Sequence, residues 1–158
     1  MELIIFTGLQ ASGKSTFYQT HFAMAYTHIS MDLLQHNKNP RKRQLVLIED
    51  ALQAQQSVVV DNTNPSLEDR LPLIQLGRLY SAKIAGYYFD ANVRQCIERN
   101  RQREGKAKVP DVAIYATAKK MVRPSYAEGF DMLYEVSIGE NGTFKVREWV
   151  EEQISPPQ

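Results

Sequence analysis

One cysteine in 158 residues, Cys96, rules out any disulfide within the chain. A thiol without metal-ligating neighbours reads as a packed helical residue, and its isolation suits a reducing cytoplasm. No apolar run approaches the ~20 residues that a membrane helix needs, so no membrane contact is expected. Met1-Glu2-Leu3 runs straight into a strand-like segment, so no signal peptide is expected either. An excess of one charge is also missing. The net charge of +1 gives no whole-chain case for coating a long polyanion. Internal repeats, low-complexity stretches and interdomain linkers are absent. Residues 1–154 therefore read as one domain with one core, and Ser155-Pro156-Pro157-Gln158 as a frayed tail.

What is present is alternation. Apolar strand-like runs at Leu3–Thr7, Tyr26–Ser30, Ser57–Asp61 and Lys83–Phe89 are separated by helix-like stretches. The helices are expected at Lys14–His21, Arg41–Gln56, from Asn64-Pro65 onward, Ala91–Arg103 and Pro110–Val122. Asn64 suits a helix cap and Pro65 a first turn, where a missing N–H costs nothing. Asp90 is expected to cap the helix that follows it. Leu133–Ile138 and Phe144–Val150 read as a hairpin around Glu140-Asn141-Gly142. Strand–helix alternation predicts an α/β fold, a parallel sheet with helices on both faces. Ligands of such sheets bind beyond the carboxyl ends of the strands. Four loops share that edge, those after Thr7, Ser30, Val60 and Phe89.

The loop after Thr7 carries the strongest signal. Gly8-Leu9-Gln10-Ala11-Ser12-Gly13-Lys14-Ser15 matches G-x-x-x-x-G-K-[ST] and sits between a strand and a helix. Given ordinary glycine usage, a chance match is roughly a few in a thousand chains of this size. Backbone N–H groups of Ser12 to Ser15 would cradle a β-phosphate at the positive helix end. Gly8 and Gly13 permit the tight turn, Lys14 would bridge the β- and γ-phosphates, and Ser15 would ligate Mg²⁺. Thr16 caps the helix or touches the α-phosphate. Switches, motors and small kinases share this loop. The chain is too short for a motor and has no N-K-x-D guanine motif.

Charge is uneven along the chain. Residues 38–43 hold Lys38, Arg41, Lys42 and Arg43 without an acid. Residues 94–108 hold six basic side chains against Glu98 and Glu104, whereas 128–152 is acidic. Such patches serve local phosphate binding or are simply solvated helix faces. Arg99 and Arg103 are four apart and share a helix face. With the loop Glu104–Lys108 behind them they read as a lid over the triphosphate, the plainer alternative being a basic helix end that favours the dipole. Asp32, after the second strand, would face the γ-phosphate as an acceptor of a hydroxyl proton, or would cap Leu33–Gln35. Asp61 ends a strand as a Walker-B carboxylate does, holding a Mg²⁺-bound water or Lys14, or forms an Asx turn.

Taken together, these residues resemble polynucleotide 5′-hydroxyl kinase, the kinase half of bifunctional end-healing enzymes. The resemblance runs from about Leu3 to Glu135. It rests on the phosphate loop, Asp32, Asp61-Asn62-Thr63-Asn64-Pro65, Arg99-Asn100 with Lys106 to Pro110, and Pro124-Ser125-Tyr126-Ala127-Glu128-Gly129-Phe130. It implies a P-loop kinase fold with a helical lid, ATP and Mg²⁺ as cofactors, and a 5′-hydroxyl end of RNA or DNA as substrate. It implies Asp32 as general base, Lys14 and Ser15 on phosphates and metal, Arg103 as the lid arginine on the donor, and Arg99 near the nucleotide. The segment Pro124–Phe130 is expected to pack the lid helices. The chain lacks room for a phosphatase or ligase, so a separate partner could supply those steps. Many relatives carry Arg three residues after the base, where this chain has Gln35. Two other readings therefore stand beside the first: a P-loop kinase acting on a sugar, nucleoside or antibiotic, and an ATP-binding regulatory module. The oligomeric state is not encoded in any motif.

Overall fold

The strand Leu3-Ile4-Ile5-Phe6 has no polar side chain to show to water, so it must be covered on both faces, and it is. A computed structural model describes residues 1–149. In it β1 (Glu2–Gly8) lies inside a six-stranded sheet with β2 (Thr27–Ile29), β3 (Val58–Val60), β4 (Lys83–Phe89), β5 (Met132–Ile138) and β6 (Phe144–Glu148). The order is β2-β3-β1-β4-β5-β6. Ile4 pairs with Val59 on one side and Ala85 on the other. The first five strands are parallel and β6 returns antiparallel to β5, with Ile138 opposite Phe144. The expected α/β fold, helices on both faces and terminal hairpin are all present. Val150 and the tail 155–158 lie outside the described residues.

Alternation of side chains along β1 divides the core in two. Leu3 and Ile5 face one side with Val58, Val60, Ile84 and Leu133. There they meet Ile48 and Leu52 of α2 (Pro40–Gln53) and Leu73 and Ile74 of α3 (Leu67–Leu79). Ile4 and Phe6 face the other side and pack on Phe17, Tyr18 and Phe22, in or just beyond α1 (Lys14–His21). A third, smaller cluster joins Leu9 to Cys96 and Ile97 of α4 (Val93–Arg101) and Ile114 of α5 (Asp111–Lys120). Cys96 is buried in it, a packed residue as its isolation suggested.

Four local expectations are corrected. Asn64 does not cap α3: its backbone is left-handed, with φ 40°, and its Nδ2 donates to the Phe6 carbonyl at 2.8 Å. Ser66 caps α3 instead, in a reciprocal capping box with Asp69. Asp90 does not cap α4. Asn92 does, accepting from the Gln95 N–H at 2.8 Å, so the helix starts and ends two residues inside the expected Ala91–Arg103. Helix α2 stops at Gln53, where Gln55 turns left-handed with φ 59°. The segment Pro124–Phe130 docks on α3 and β4 rather than serving the lid helices. Phe130 packs into the core beside Leu133, and Glu128 reaches Arg70 of α3.

That last contact is a largely buried ion pair. Arg70 Nε donates to Glu128 Oε1 at 2.8 Å, and its side chain is 0% exposed. Nη2 reaches Oε2 at 3.2 Å and Nη1 donates to the Asn64 carbonyl at 2.9 Å. Glu128 also accepts from the Ser125 N–H at 2.8 Å. Removing one partner leaves a charge buried without compensation, which costs about 3–5 kcal/mol. Glu128→Ala is therefore expected to lower the urea unfolding midpoint by that amount of stability with little change in m-value, and a shift under about 1 kcal/mol would show the pair to be dispensable.

Candidate functional site

The carboxyl ends of β1, β2 and β3 open onto a cleft of about 650 Å³. Lys14, Ser15, Asp32, Asp61 and Arg103 all line it, as does Gln35. The loop Leu9–Gly13 makes the floor. Ala11 and Gly13 take left-handed backbones, with φ 63° and 97°. Gly8 has no space for a side chain, because a Cβ there would stand 2.8 Å from Phe89 Cβ and 3.0 Å from Ser12 Oγ. No side chain caps α1, so the first-turn N–H groups point into the loop as an anion site.

Lys14 is the charge that this loop encloses. Its Nζ donates to the carbonyls of Leu9 at 2.7 Å and Gly8 at 3.1 Å, and lies 3.5 Å from Ser12 Oγ. The residue is buried, with no carboxylate within ion-pair distance among the described residues. Burial pushes the ammonium down to about 8, a shift that the charge of Asp61 only partly opposes. A buried ammonium held by uncharged oxygens alone is matched by a phosphate, so the cradle fits a polyphosphate.

Asp61 is 4% exposed. It forms no Asx turn. Its Oδ2 accepts from Ser15 Oγ at 2.8 Å and lies 2.8 Å from His28 Nε2, which carries the hydrogen between them. The His28 ring is held flat against Tyr18, centroids 4.0 Å apart and 14° from parallel. A hydroxyl and a carboxylate are hard oxygen donors of the kind Mg²⁺ takes. No group of three or more His, Cys, Asp or Glu that could hold a metal occurs among the described residues. These two donors therefore fit an ion that arrives with phosphates and water, not one caged by protein.

Asp32 sits in the turn Met31–Leu34, which Ser30 opens by accepting the Asp32 N–H at 3.2 Å. The cap is Ser30, not Asp32. Among the described residues no donor engages the Asp32 carboxylate, which leaves it free to accept a hydroxyl proton. Arg103 is half-buried and donates to the Ala107 carbonyl at 3.1 Å. The loop that it belongs to is anchored by Asn100, which is 0% exposed. Asn100 Nδ2 donates to the Val109 carbonyl at 2.6 Å and Oδ1 accepts the Val109 N–H at 3.0 Å. Thr16 is exposed on the first turn of α1, and neither it nor Arg99 lines the cleft. One Arg99 guanidinium nitrogen is buried without a hydrogen-bond partner.

The residue-by-residue reading missed His28, the Asn100 clamp and Arg70. His28 could be found only by knowing that β2 pairs with β3, which places it beside Val59. Arg70 carried no local signal at all: a lone arginine in a helix reads as surface.

Comparisons with known proteins agree with this geometry. A family profile described as an AAA domain matches residues 3–124. The bifunctional polynucleotide phosphatase/kinase of Schizosaccharomyces pombe is 25% identical over 139 residues, covering 85% of this chain and 33% of that protein. A protein of Acanthamoeba polyphaga mimivirus, provisionally named as the same kind of enzyme, is 30% identical over 151 residues, covering 86% of this chain and 33% of its own length. The chain thus spans about a third of the length of the curated relatives it matches. In three dimensions it resembles a gluconokinase from Sinorhizobium meliloti 1021, with a TM-score of 0.63 at 18% identity over 88% of this chain and 83% of that one. At that identity the likeness is one of fold, a P-loop kinase fold. No helix among the described residues is long and apolar enough to cross a membrane.

The Asn100 clamp has a measurable consequence. Asn100→Ala leaves the Val109 N–H and C=O without their partner, a loss of about 1–3 kcal/mol. Amide exchange at Val109 and through residues 104–108 is expected to quicken by roughly ten- to a hundredfold while β1 stays protected. Equal acceleration in β1 would mean that the clamp holds up the whole fold and not the lid alone.

Proposed function

The chain belongs to the AAA domain family, and from that premise we propose that it transfers the γ-phosphate of ATP to a 5′-hydroxyl end of RNA or DNA. The observation that carries the proposal is the unengaged Asp32 carboxylate, set in the same cleft as the buried Lys14 and the Ser15–Asp61 pair. A module that only bound nucleotide would have no use for a free acceptor there.

The chemistry follows from those positions. The acceptor oxygen attacks the γ-phosphorus, the bond to the β–γ bridging oxygen breaks, ADP leaves, and the hydroxyl proton passes to Asp32. Gly8, Ser12 and Gly13 shape the cradle, and Lys14 holds the β- and γ-phosphates. Ser15 and Asp61 would hold Mg²⁺, which supplies charge neutralisation on the phosphates when bound. Thr16, at the start of α1 but outside the cleft lining, would touch the α-phosphate. Arg103 would swing in with its loop to meet charge on the transferring group, and Arg99, earlier on α4, would neighbour the nucleotide. Catalysis is mostly positioning and electrostatics. A phosphatase or ligase working on the same end would be a separate module or chain.

The resemblance to polynucleotide phosphatase/kinases supports a nucleic-acid acceptor. Gln35 favours a second reading, because it puts an uncharged side chain on the acceptor side of the cleft. A P-loop kinase of a sugar, nucleoside or antibiotic would suit that lining. Transfer of labelled γ-phosphate to a short 5′-hydroxyl oligonucleotide separates the two. Wild-type protein is expected to label it, and Asp32→Ala to lose about 10²–10⁴-fold in rate while binding ATP normally. Undiminished turnover in the variant would remove Asp32 as base. No labelling of RNA or DNA by the wild type would leave the small-molecule reading.

Lys14 adds a pH dependence. Burial lowers its pKa to about 8 in the free protein, and a bound triphosphate favours the charged form. Below pH 8 the ammonium is in place and affinity is flat. Above it the proton must be recovered on binding, so ATP affinity is expected to fall, by at most about tenfold per pH unit. Titration calorimetry between pH 7 and 9.5 reads this directly, and a constant affinity across that range would show that Lys14 stays charged.

A further inference from the structure

A second cavity, of about 230 Å³, lies beside the first and shares Met31 and Thr63 with it. Pro72 and Leu73 of α3 line it, together with the cations Arg41 of α2 and Lys120 of α5 and the Asp69 carboxylate. Nothing in the transfer chemistry requires it.

One polar group inside is set up as a donor. The Met31 N–H donates to Asn62 Oδ1 at 2.9 Å, so the other side of that amide is Nδ2. Asn62 Nδ2 donates at 2.6 Å to Gln44, whose near atom must then be Oε1. Gln44 Nε2 is left facing away. The residue is 4% exposed, lines the second cavity, and has no hydrogen-bond partner for that nitrogen among the described residues. That nitrogen is open to the cavity rather than sealed off, so a ligand or water can meet it there. Lys120 has no carboxylate within ion-pair distance among the described residues. Arg41 pairs with Asp69 at 3.1 Å, but its side chain is 67% exposed, and such a pair is weak enough for a phosphate to compete.

We propose that this cavity is the subsite for the second nucleotide of the acceptor strand. Its sugar and base lie against Pro72 and Leu73, Gln44 Nε2 donates to it, and Lys120 with Arg41 meets its 3′-phosphate. The direction fits: Met31 lines both cavities and precedes Asp32, where the terminal hydroxyl is deprotonated, so a strand leaving Asp32 over Met31 enters the second cavity next. An acceptor of a single unit would leave it empty. The inference rests on the 5′-kinase reading and adds an acceptor register to it.

The test compares two acceptors, adenosine 3′-phosphate and the dinucleotide ApA bearing a 3′-phosphate, in the labelled-phosphate assay. Wild type is expected to show a KM lower by at least about tenfold for the dinucleotide, the worth of one hydrogen bond to a charged group. Lys120→Glu reverses a surface charge with little risk to folding. Gln44→Glu keeps an oxygen for Asn62 and replaces only the free donor. Both are expected to bring the KM ratio toward one. A ratio near one in wild type, or a wild-type ratio retained by both variants, would overturn the subsite while leaving the 5′-kinase reading in place. Failure of wild type to phosphorylate either acceptor or any longer 5′-hydroxyl strand would overturn that reading, and the subsite with it.

Discussion

Four consecutive residues after β3, Asp61 to Asn64, hold the cleft in shape, and each ties down a different neighbour. Asp61 takes the Ser15 hydroxyl and His28. Asn62 accepts from Met31 and donates to Gln44. The Thr63 carbonyl accepts the Gly8 N–H at 3.0 Å, fixing the start of the phosphate loop. Asn64 donates to Phe6 and receives Arg70 on its carbonyl. A parallel sheet gives no hydrogen-bond partners to the loops beyond its strand ends, so those loops must find partners in one another. This segment is where they do. The buried Arg70–Glu128 pair secures it from behind, which explains why so costly an arrangement sits in α3, on the far side of the sheet from α1.

Against that fixed frame the phosphate loop holds one ammonium in a setting that only an anion completes. The carbonyls of Gly8 and Leu9 hold Lys14 without cancelling its charge. The lid is attached differently. Among the described residues Arg103 makes one carbonyl contact and its loop hangs from Asn100, so the cation proposed to meet transferring charge sits on a lightly held part of the cleft. Rigid floor and loosely held lid are what a site needs if it must first admit a triphosphate and then exclude water.

The architecture was legible in the sequence because apolar runs and glycine-marked loops are local signals. Leu3–Phe6, Val58–Val60 and the Gly8–Ser15 loop each announce their structure within a few residues, and the sheet follows from their alternation. Lys14, Ser15, Asp32, Asp61 and Arg103 come together as the loop positions implied. What could not be read was side-chain partnership across distance. Asn64-Pro65 has the composition of a helix start, yet tertiary demand from the Phe6 carbonyl takes the Asn64 amide, and Ser66 does the capping. Asp90 lost the cap to Asn92, because α4 begins at Val93 and Asn92 is the residue just before it. Glu128 looked like part of a lid-packing segment because its partner, Arg70, is 58 positions away. Arg99 and Arg103 share no helix face after all, because α4 ends at Arg101 and Arg103 lies in the loop beyond it, so Arg103 lines the cleft and Arg99 does not.

The acceptor end of the cleft is where this chain departs from the pattern it resembles, and the departure is one of charge placement. Gln35 withdraws a cation from the position three residues after Asp32, next to where a strand's first phosphate would lie. The net charge of +1 shows that the loss is not made up by a general basic surface. Cations do stand farther along the same edge, at Arg41 and Lys120 on two different helices. Moving positive charge from the reacting hydroxyl toward the following nucleotide changes what the site measures. A cation beside the hydroxyl rewards any 3′-phosphate, including that of a mononucleotide, whereas cations one unit away reward only an acceptor long enough to reach them. The hydrogen-bond chain from Met31 through Asn62 to Gln44 links those two places with fixed donor direction, so under the proposed register the strand and Asp32 would be positioned by the same four-residue segment.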